Sequence, residues 1–345
     1  MDDLELLLQG WVDNGLIPGA ALRIVRDRRI WYACDVGTTS IAKDQPVTPD
    51  TMFDLASLTK VTATLPAVLL LVQEGVVALD DQIGRFFPDC PADKKRITLA
   101  QLLAHTSGMP ADLAERRRDS EIDLPELLYA QELTHEPGTQ VVYSDLGMIW
   151  LGLLIERMTG ERLDQFVDRR IFTPLGMKKT VYRPNRHIYR NIASTEFCTL
   201  TNTYMTGEVH DEKAFAMGGV AGHAGLFSTA DDLCKYAMSW LYQEPRILAS
   251  EWYEQAIRNQ TKQAGGSRGY GWELNQASTT LSCGSGFHPH SFGHTGFTGT
   301  SMWIDPEQEF AVIFLTNVVH LGRHHQLRHL RPILHDAVTA QLLQT

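Results

Sequence analysis

The chain has 345 residues, of which 43% are hydrophobic and 21% charged, and its 41 Asp and Glu against 31 Lys and Arg give a net charge of −10. This composition is typical of a globular protein with about two domains or one large domain, and it excludes a disordered or fibrous chain. An acidic chain suits a phosphate backbone poorly, and no apolar run approaches the ~20 residues that span a bilayer, so we expect neither a nucleic-acid nor a membrane partner.

Five cysteines are spread through the chain, at Cys34, Cys90, Cys198, Cys234 and Cys283. Their odd number and wide spacing indicate reduced thiols rather than a disulfide framework. The first five residues are acidic where a signal peptide would be basic, and no long apolar stretch follows them. We therefore expect a cytoplasmic protein, or an extracytoplasmic one if a leader has been removed.

The N-terminal part predicts a short helix and then a β-hairpin. Residues 20–25 and 30–34 have the composition of strands, and the polar turn 27–29 separates them. A Ser-x-x-Lys pattern from Ser40 to Lys43 follows, but two prolines come soon after it, so we expect no apolar helix there.

A second Ser-x-x-Lys pattern, Ser57 to Lys60, begins the apolar run 61–72, which predicts a helix. Side chains three residues apart are neighbours on a helix, and a serine hydroxyl becomes a good nucleophile when a neighbour takes its proton. Lysine could do so only if its pKa falls from about 10.4 towards neutrality. The alternative is a capping serine with a surface lysine. Pro66 lies inside this helix and should kink it or shift its packing.

In the middle of the chain, Tyr143 and Asp145 stand directly before an apolar helix predicted over residues 146–158, which Gly160 ends. A tyrosine there could relay a proton, and the aspartate could bond to a lysine or a substrate amide. The alternative is a half-buried loop tyrosine with a helix-capping aspartate. A competing match at Tyr189 has no apolar helix after it.

Two histidines and a further helix start come from the same central region. His105 is interpreted as a structural loop residue. His223 follows a glycine-rich stretch that could bring backbone close to a site, and it is either a substrate contact or a structural loop histidine. Residues 228–232 predict the start of a helix, with a capping hydroxyl and acids in the first turn.

A third motif, His294-Thr295-Gly296, lies in a glycine-rich segment near the C-terminus. Glycine in an edge strand permits close approach to a ligand. A backbone N–H from such a strand could join that of Ser57 in holding an oxyanion. The alternative is a glycine-rich strand start with a packed histidine.

The C-terminal part predicts two strands and a helix. Residues 300–304 and 309–316 form the strand pair, and residues 310–315 are apolar at both parities, so that strand should be covered on both faces. The final helix is indicated by apolar residues at helical spacing and by Pro332, which suits a first-turn position.

Two other patterns, a Gly-x-Ser-x-Gly match and a group of C-terminal histidines, are weaker candidates for a functional site. Residues 265–269 match Gly-x-Ser-x-Gly but lack the flanking strand and helix, so we interpret them as a loop. No carboxylate completes a metal site among the C-terminal histidines, which favours a solvated helix face, and His288 and His290 are assigned to a loop. The histidines of this C-terminal group are His320, His324, His325, His329 and His335.

Strands at both ends with helices between them favour an α/β (α+β) fold. We predict an antiparallel sheet flanked by helices and built from both termini, with an inserted all-helical domain. Residues 1–80 and 225–345 would form the sheet domain with Ser57 and His294, and residues 81–224 would form a mostly helical domain with Tyr143.

The three motifs, in their order, resemble the serine β-lactamase and penicillin-binding protein superfamily, defined by Ser-x-x-Lys, Tyr-x-Asn and Lys-Thr-Gly. The chain is similar to its class C branch, which includes β-lactamases, DD-carboxypeptidases and esterases. The resemblance extends to residues 53–60, 97–108, 172–177 and 224–232 and covers most of residues 50–317. It implies the β-lactamase/transpeptidase fold.

By this resemblance, Ser57 is the acylated nucleophile and Lys60 and Tyr143 share the proton transfers. The backbone N–H groups of Ser57 and Phe297 would hold the oxyanion. Asp145, His294, Thr295 and Gly296, together with His223, would contact the substrate. No metal or cofactor is expected.

Two positions depart from the family pattern: Asp145 replaces the usual Asn, and His294 replaces the usual Lys. Asp145 should stabilise protonated Lys60, and His294 should be neutral above about pH 6.5 unless Asp145 keeps it protonated. Both changes favour less anionic substrates. We hypothesise that His294 makes activity pH-dependent.

The expected function is a serine hydrolase that cleaves ester or amide bonds, esterase- or amidase-like with weak β-lactamase activity. Its partner would be a small-molecule or peptide acyl substrate, with β-lactams as possible acylating ligands. One alternative is a D-alanyl-D-alanine carboxypeptidase, although peptidoglycan lies outside the cytoplasm and no export signal is visible. The other is a non-hydrolysing penicillin-recognising protein.

Overall fold

A seven-stranded antiparallel sheet organises the chain in the computed structural model, which describes residues 2–113, 118, 124–275 and 282–343. The strands are β1 (Gly19–Arg26), β2 (Arg29–Ser40), β3 (Lys43–Pro46), β4 (Phe53–Asp54), β5 (Val181–Tyr182), β6 (Phe197–Cys198), β7 (Thr203–Tyr204), β8 (Leu226–Ser228), β9 (Glu273–Leu274), β10 (Phe292–Thr295), β11 (Ser301–Asp305) and β12 (Phe310–Thr316). The large sheet has the order β3-β2-β1-β12-β11-β10-β9. Since β1 pairs with both β2 and β12, the two ends of the chain meet in its centre, which confirms the predicted antiparallel sheet built from both termini.

Helices cover the sheet and fill most of the central part of the chain. They are α1 (Asp2–Asp13), α2 (Leu65–Gln73), α3 (Ile83–Phe86), α4 (Ala92–Lys95), α5 (Leu99–Leu103), α6 (Leu124–Ala130), α7 (Asp145–Thr159), α8 (Leu163–Val167), α9 (Thr173–Leu175), α10 (Glu212–Ala216), α11 (Ala230–Leu241), α12 (Ser250–Ile257) and α13 (Leu327–Leu342). Segments Lys60–Thr64 and Asp168–Phe172 are π-helical, and Lys262–Ala264 and Val318–Leu321 are 3₁₀-helical. Of the helices in the described part, none combines the length and apolar character that crossing a bilayer would require.

Alternation along β12 explains how the sheet is covered on both faces. Val312 and Phe314 pack into one apolar cluster with residues of α1 and α13. Ile313 and Leu315 point the other way, into a larger cluster with residues of α2, α7 and α11. All seven residues of β12 are buried, as the apolar run predicted.

The helix after Ser57 accommodates Pro66 by widening rather than by a simple kink. Proline lacks an N–H and its ring clashes with the carbonyl of the preceding turn in an α-helix. The π-helical segment Lys60–Thr64 comes directly before it, and Leu65 N–H donates to the Lys60 carbonyl five residues back. The Val61 carbonyl, five residues before the proline, accepts a hydrogen bond from the Tyr236 hydroxyl instead.

The final helix differs from the prediction. It begins at Leu327, so Pro332 lies inside it and not in the first turn. The apolar spacing from residue 333 onward was recognised, but residues 327–331 supply another full turn, with Leu327 and Arg331 buried. Burial against the sheet outweighs the cost of an internal proline.

The predicted insertion contains helices but also short strands. β5 pairs with β8, which also pairs with β4, and β6 and β7 form a hairpin, so residues 181–204 are not helical. The larger apolar cluster draws residues from both predicted domains. The division at residues 80 and 224 stays a prediction. All five cysteines are buried and free.

Candidate active site

Ser57 lies just after β4, on a turn that Asp54 holds in place. The buried Asp54 carboxylate accepts hydrogen bonds from the backbone N–H groups of Ala56, at 2.9 Å, and His210, at 2.7 Å. Ala56 has a left-handed conformation, with φ of 45°. Such strained backbone persists only where its surroundings determine it, and here it places Ser57 at the start of the helix that carries Lys60. Asp54 was not recognised from the sequence, where it is one acid in an apolar segment.

Lys60 is fully buried, and its ammonium is surrounded by acceptors. Nζ lies 2.8 Å from Ser57 Oγ, 3.0 Å from the His223 carbonyl oxygen and 2.7 Å from Asp145 Oδ1. Burial lowers the pKa of Lys60, but the charge of Asp145 and the neighbouring Tyr143 outweigh it, so the pKa is raised. The geometry of a serine–lysine pair is therefore present. The fall in pKa that a neutral lysine base requires is not, and the raised pKa agrees with the expectation that Asp145 stabilises protonated Lys60.

The Tyr143 ring is enclosed by two cations and two histidines. Lys60 Nζ and the Arg268 guanidinium carbon each lie 5.1 Å from its centroid. The rings of His105 and His294 lie 4.7 Å and 5.7 Å away. Two positive charges close to the ring suit a hydroxyl that takes up negative charge during proton transfer.

Asp145 is the first residue of α7, and Ser144 is the helix cap. The Ser144 side chain accepts from Gly147 N–H, its own N–H donates to His105 Nδ1 at 3.1 Å, and its hydroxyl donates to the Pro110 carbonyl at 2.6 Å. The predicted capping role of Asp145 is therefore replaced by Ser144. This leaves the Asp145 carboxylate available to Lys60. The bond from Ser144 N–H to His105 agrees with the prediction that His105 is a structural loop residue.

A buried charge network extends from Asp145 to residues that the sequence did not single out. Lys213 Nζ lies 2.7 Å from Asp112, 3.3 Å from Asp145 and 3.2 Å from Asp211. Burial opposes ionisation of Asp145, but Lys60, His223 and Lys213 hold its pKa well below the usual range. No local pattern around Lys213 distinguishes it from a surface lysine, so only the tertiary structure reveals it.

His223 takes part mainly through its backbone and its bond to Asp211. Its carbonyl accepts from Lys60, and its ring Nε2 lies 2.7 Å from Asp211 Oδ1. The ring is buried and forms part of the cleft wall. These bonds fit a structural loop histidine, and the predicted substrate contact of His223 stays a prediction.

His294 lies in β10 with its ring buried beside Tyr143. Its Nδ1 lies 2.8 Å from the Thr295 carbonyl oxygen. Burial, reinforced by Arg268 and Lys60, lowers the pKa of His294 to about 3. The ring is therefore neutral above that pH, and Asp145, which is bonded to Lys60, does not keep it protonated. This low pKa argues against the hypothesis that His294 makes activity pH-dependent.

The turn after His294 is tied to the nucleophile segment by two threonine hydroxyls. Thr298 Oγ1 donates to the Asp54 carbonyl at 2.6 Å, and Thr300 Oγ1 donates to the Leu55 carbonyl at 3.0 Å. A Cβ on Gly296 would lie 2.4 Å from the Leu55 oxygen, so glycine is required there. Within the described residues, neither Ser57 N–H nor Phe297 N–H has a backbone or side-chain acceptor. Both remain available to a ligand.

Five predicted residues line one cleft of about 270 Å³, namely Ser57, Tyr143, Asp145, His223 and Phe297. Lys60, His294, Thr295 and Gly296 do not line it, but Lys60 bonds to Ser57 and the His294 ring packs against Tyr143. The Phe297 side chain is 48% exposed and stacks on His210, with ring centroids 5.7 Å apart. The cleft therefore brings together Ser57, which is bonded to the Lys60 ammonium, and Phe297, and the backbone N–H groups of these two lining residues have no acceptor in the described part of the chain.

Other predicted features lie outside this cleft. A larger cavity of about 530 Å³, lined by Arg183, Arg186 and Tyr204 among others, contains none of the predicted site residues. Tyr189 lies on a separate surface and bonds to the Lys178 carbonyl. The segment around Gly265 is a short 3₁₀ turn and loop, as predicted.

The solvated helix face predicted for the C-terminal histidines is wrong for several of them. His325 precedes α13, while His320 and His335 are buried and bond to the carbonyls of Thr195 and Ser282. Only His329 lies exposed on the helix itself. Tertiary packing, which periodicity alone does not reveal, buries His320 and His335, while His324 is exposed and His325 is half-buried.

Two groups of side chains in the described residues have the spacing of metal ligands. One consists of His288, His290 and Glu307 in an exposed loop. The other consists of Asp145, Asp211 and His223, whose ligand atoms lie within 4.8 Å of one another. Lys60 and Lys213 already contact the carboxylates of the second group, so their positive charges oppose a cation there.

Comparison with known proteins gives the family of the chain and the proteins that share its fold. Residues 4–335 match the family model described as Beta-lactamase. A relative from Escherichia coli (strain K12) named "Putative D-alanyl-D-alanine carboxypeptidase" is 33% identical, over 93% of this chain and 82% of its own. The fold is similar to that of "EstCE1, a hydrolase with promiscuous acyltransferase activity", with a TM-score of 0.80 and 24% identity over 98% of both chains. It is also similar to the octameric penicillin-binding protein homologue from Pyrococcus abyssi, with a TM-score of 0.78 and 21% identity over 100% of this chain and 77% of that one.

Proposed function

Because this chain belongs to the Beta-lactamase family and is a serine hydrolase, we propose that it cleaves ester and amide bonds through an acyl-enzyme on Ser57. The observation that carries the proposal is the 2.8 Å hydrogen bond from Lys60 Nζ to Ser57 Oγ at the edge of an open cleft. A serine that is hydrogen-bonded to a fixed ammonium and exposed to a ligand-sized space is placed for nucleophilic attack.

The proton transfers are assigned to Tyr143 together with Lys60. Since Asp145 keeps Lys60 protonated, the ammonium orients Ser57 and balances negative charge, and Tyr143 acts as a proton relay. Ser57 Oγ bonds to the acyl carbon while the bond to the leaving group breaks; the Tyr143 oxygen accepts the Ser57 hydroxyl proton as its own phenolic proton passes to the leaving group. Water then attacks the acyl-enzyme by the reverse path and releases the acid.

The N–H groups of Ser57 and Phe297 are proposed to hold the developing oxyanion. The two threonine bonds from the turn of residues 296–300 to the nucleophile segment keep the two donors in fixed relation. Preorganised donors of this kind cost no reorganisation during the reaction, and losing one typically slows a hydrolase by about 10²–10³.

The charges around the cleft favour a neutral or cationic substrate. Four carboxylates line it, those of Asp112, Asp145, Asp211 and Glu212, against the two cations Lys213 and Arg323. Lys213 contacts three of those carboxylates, and Arg323 is paired with Glu196 and Glu212. His294 adds no charge, since its pKa is lowered to about 3. These negative charges repel an anionic substrate. Because β-lactams carry a carboxylate, we expect an esterase- or amidase-like activity with weak β-lactam turnover.

The test is a substrate panel with a Ser57→Ala control. Short-chain nitrophenyl esters, nitrocefin and a peptide ending in D-Ala-D-Ala are compared by kcat/KM, and mass spectrometry follows a fluorophosphonate or penicillin adduct. We expect ester turnover well above nitrocefin turnover, and an adduct on Ser57 that is absent from the variant. No Ser57 adduct with either reagent would overturn the enzyme mechanism, and a stable penicillin adduct without hydrolysis would favour a penicillin-recognising protein.

A D-alanyl-D-alanine carboxypeptidase is the second candidate, supported by the name of the 33% identical relative and by Arg268. This guanidinium lies against the Tyr143 ring, and its Nη1 has no hydrogen-bond partner among the described residues. Arg268 does not line the cleft, but its positive charge lies against Tyr143, which does, and would favour a substrate carboxylate there. If this function is correct, the peptide is the best substrate of the panel, and Arg268→Gln lowers its kcat/KM more than that of an uncharged ester.

A further inference from the structure

Arg331 is a buried cation directly behind the turn that follows His294. It comes from α13, at the opposite end of the chain from Ser57, and its side chain is almost completely inaccessible. Its Nη2 donates to the Gly296 carbonyl at 3.1 Å and to the Thr300 carbonyl at 3.0 Å. The guanidinium therefore touches the segment that presents Phe297 N–H to the cleft.

No carboxylate lies within ion-pair distance of Arg331 in the part of the chain that the structure describes, and its Nε has no partner there. Burial lowers the pKa of Arg331 to about 10, and Glu273 opposes that change, so the side chain remains a cation at neutral pH. A buried charge without a bonded counterion is destabilising. Its position behind this turn is therefore better explained by an effect on the turn than by a gain in stability.

The Gly296 carbonyl belongs to the same peptide group as Phe297 N–H. The peptide is trans, since no cis bond occurs in the described residues, so the carbonyl and the N–H point to opposite sides. The carbonyl accepts two hydrogen bonds, from Arg331 and from Gly299 N–H at 3.1 Å. A hydrogen bond to a carbonyl polarises the whole amide and makes its N–H a stronger donor, more so when the partner is charged.

We propose that Arg331 is a positioning residue that polarises the Gly296–Phe297 peptide and so strengthens Phe297 N–H as an oxyanion donor. The inference rests on the proposed function, because it requires an acyl-enzyme on Ser57 whose carbonyl oxygen meets that N–H. The cation acts from the far side of the peptide and touches neither the substrate nor the reacting atoms.

The test uses the acyl carbonyl as a probe of the oxyanion donors. Ser57 is acylated with a nitrophenyl ester carrying a ¹³C-labelled carbonyl, and isotope-edited infrared spectra are compared for the native protein, Arg331→Lys and Arg331→Met. Leu334→Ala, one turn along the same helix face, is the matched control, because it removes buried mass without touching the turn. Circular dichroism and thermal unfolding check the fold of every variant.

We expect the carbonyl stretch to move to higher frequency in Arg331→Met, because a weaker donor polarises the carbonyl less. The shift should be smaller in Arg331→Lys and absent in Leu334→Ala. The acylation rate of Arg331→Met should fall roughly tenfold with little change in KM, less than the 10²–10³ for complete loss of a donor. If Arg331→Met does not fold, the shift of the carbonyl stretch in Arg331→Lys tests the proposal instead.

An unchanged carbonyl frequency in a folded, acylated Arg331 variant would overturn the inference, whatever its rate. An equal shift in Leu334→Ala would also overturn it, because the effect would then reflect loosened packing. Failure of the proposed function is recognised earlier and separately, since native protein would then show no labelled acyl group on Ser57 by mass spectrometry.

Discussion

Asp145 Oδ1 lies 2.7 Å from Lys60 Nζ, beneath the cleft and next to Ser57. The pairing decides the protonation state of the lysine, because burial alone would lower the Lys60 pKa and the carboxylate raises it. An asparagine at residue 145 would accept the same hydrogen bond without the charge. In the proposed mechanism, this one departure from the family pattern leaves Lys60 to orient Ser57 and balance charge, and Tyr143 to relay the proton.

Replacing Asp145 with Asn should destabilise the protein and make its activity sensitive to alkaline pH. Removing one partner of a buried ion pair costs about 3 kcal/mol in the free energy of unfolding at pH 7, which urea denaturation measures. Burial then lowers the pKa of Lys60. Ester turnover should therefore be lost as pH rises through that value, whereas native activity persists.

Asp112→Asn is the matched control, because Asp112 contacts Lys213, which keeps Asp145 and Asp211 as partners. Asp112→Asn should lower the free energy of unfolding by less than half as much as Asp145→Asn does. It should leave ester turnover at alkaline pH unchanged. Equal effects of the two variants would contradict a specific role for the Lys60–Asp145 pair.

The depressed pKa of His294 predicts that stability falls in mild acid. Between about pH 3 and 6.5 the unfolded chain binds a proton at this residue that the folded protein does not, so the free energy of unfolding rises with pH in this window. From pH 8 to pH 5 the loss amounts to about 2 kcal/mol. Urea denaturation at each pH measures it.

His294→Gln should remove this part of the pH dependence, whereas His329→Gln, on the exposed face of α13, should leave it unchanged. The pH profile of ester kcat/KM should contain no step between pH 5 and 9 that His294→Gln abolishes. A step that disappears in this variant would show that the ring titrates in the folded protein.

Thr298→Val should slow catalysis by weakening the link between the turn of residues 296–300 and Asp54. The lost hydroxyl leaves the Asp54 carbonyl without its 2.6 Å bond, at a cost of about 1–2 kcal/mol. Because Phe297 N–H is then held less firmly, kcat for esters should fall about tenfold. Thr316→Val removes an equivalent 2.6 Å bond, to the Gly19 carbonyl away from the cleft, and should cost stability without changing kcat. If Thr298→Val and Thr316→Val lose kcat equally, the bond from Thr298 has no special role in holding Phe297 N–H.

Gly296→Ala should damage both stability and activity. The new Cβ would lie 2.1 Å from Thr300 Oγ1 and 2.4 Å from the Leu55 oxygen, and the backbone atom cannot move without shifting the nucleophile segment. We expect Gly296→Ala to lower the free energy of unfolding by about 3 kcal/mol and kcat/KM about a hundredfold.

Gly10→Ala is the control, because no atom lies within 4 Å of the new Cβ in α1, and it should raise the free energy of unfolding by up to about 1 kcal/mol. Thermal unfolding and ester kinetics compare them, and near-native activity in Gly296→Ala would contradict the tight fit.

Several features of the fold and site were predictable because their causes are local. The strand pairs at both ends follow from composition and alternation, and α7 follows from apolar spacing ended by Gly160, which has the expected left-handed conformation. Ser57 and Lys60 face each other because they are three residues apart at the start of a helix. The predicted first-turn position of Pro332 failed because tertiary burial extends α13 beyond what its own residues favour.

The sequence by itself determined which serine, lysine and tyrosine are the candidates for the site, because the order and spacing of the motifs can be read without a structure. Only the tertiary structure decided their ionisation and their partners, because both depend on burial and on charges far apart in the chain. Asp145 could have bonded to Lys60 or to His294, and the fold selects Lys60. Lys213, Arg268 and Arg331 stand in unremarkable sequence, and they matter because the fold brings their charges next to the site.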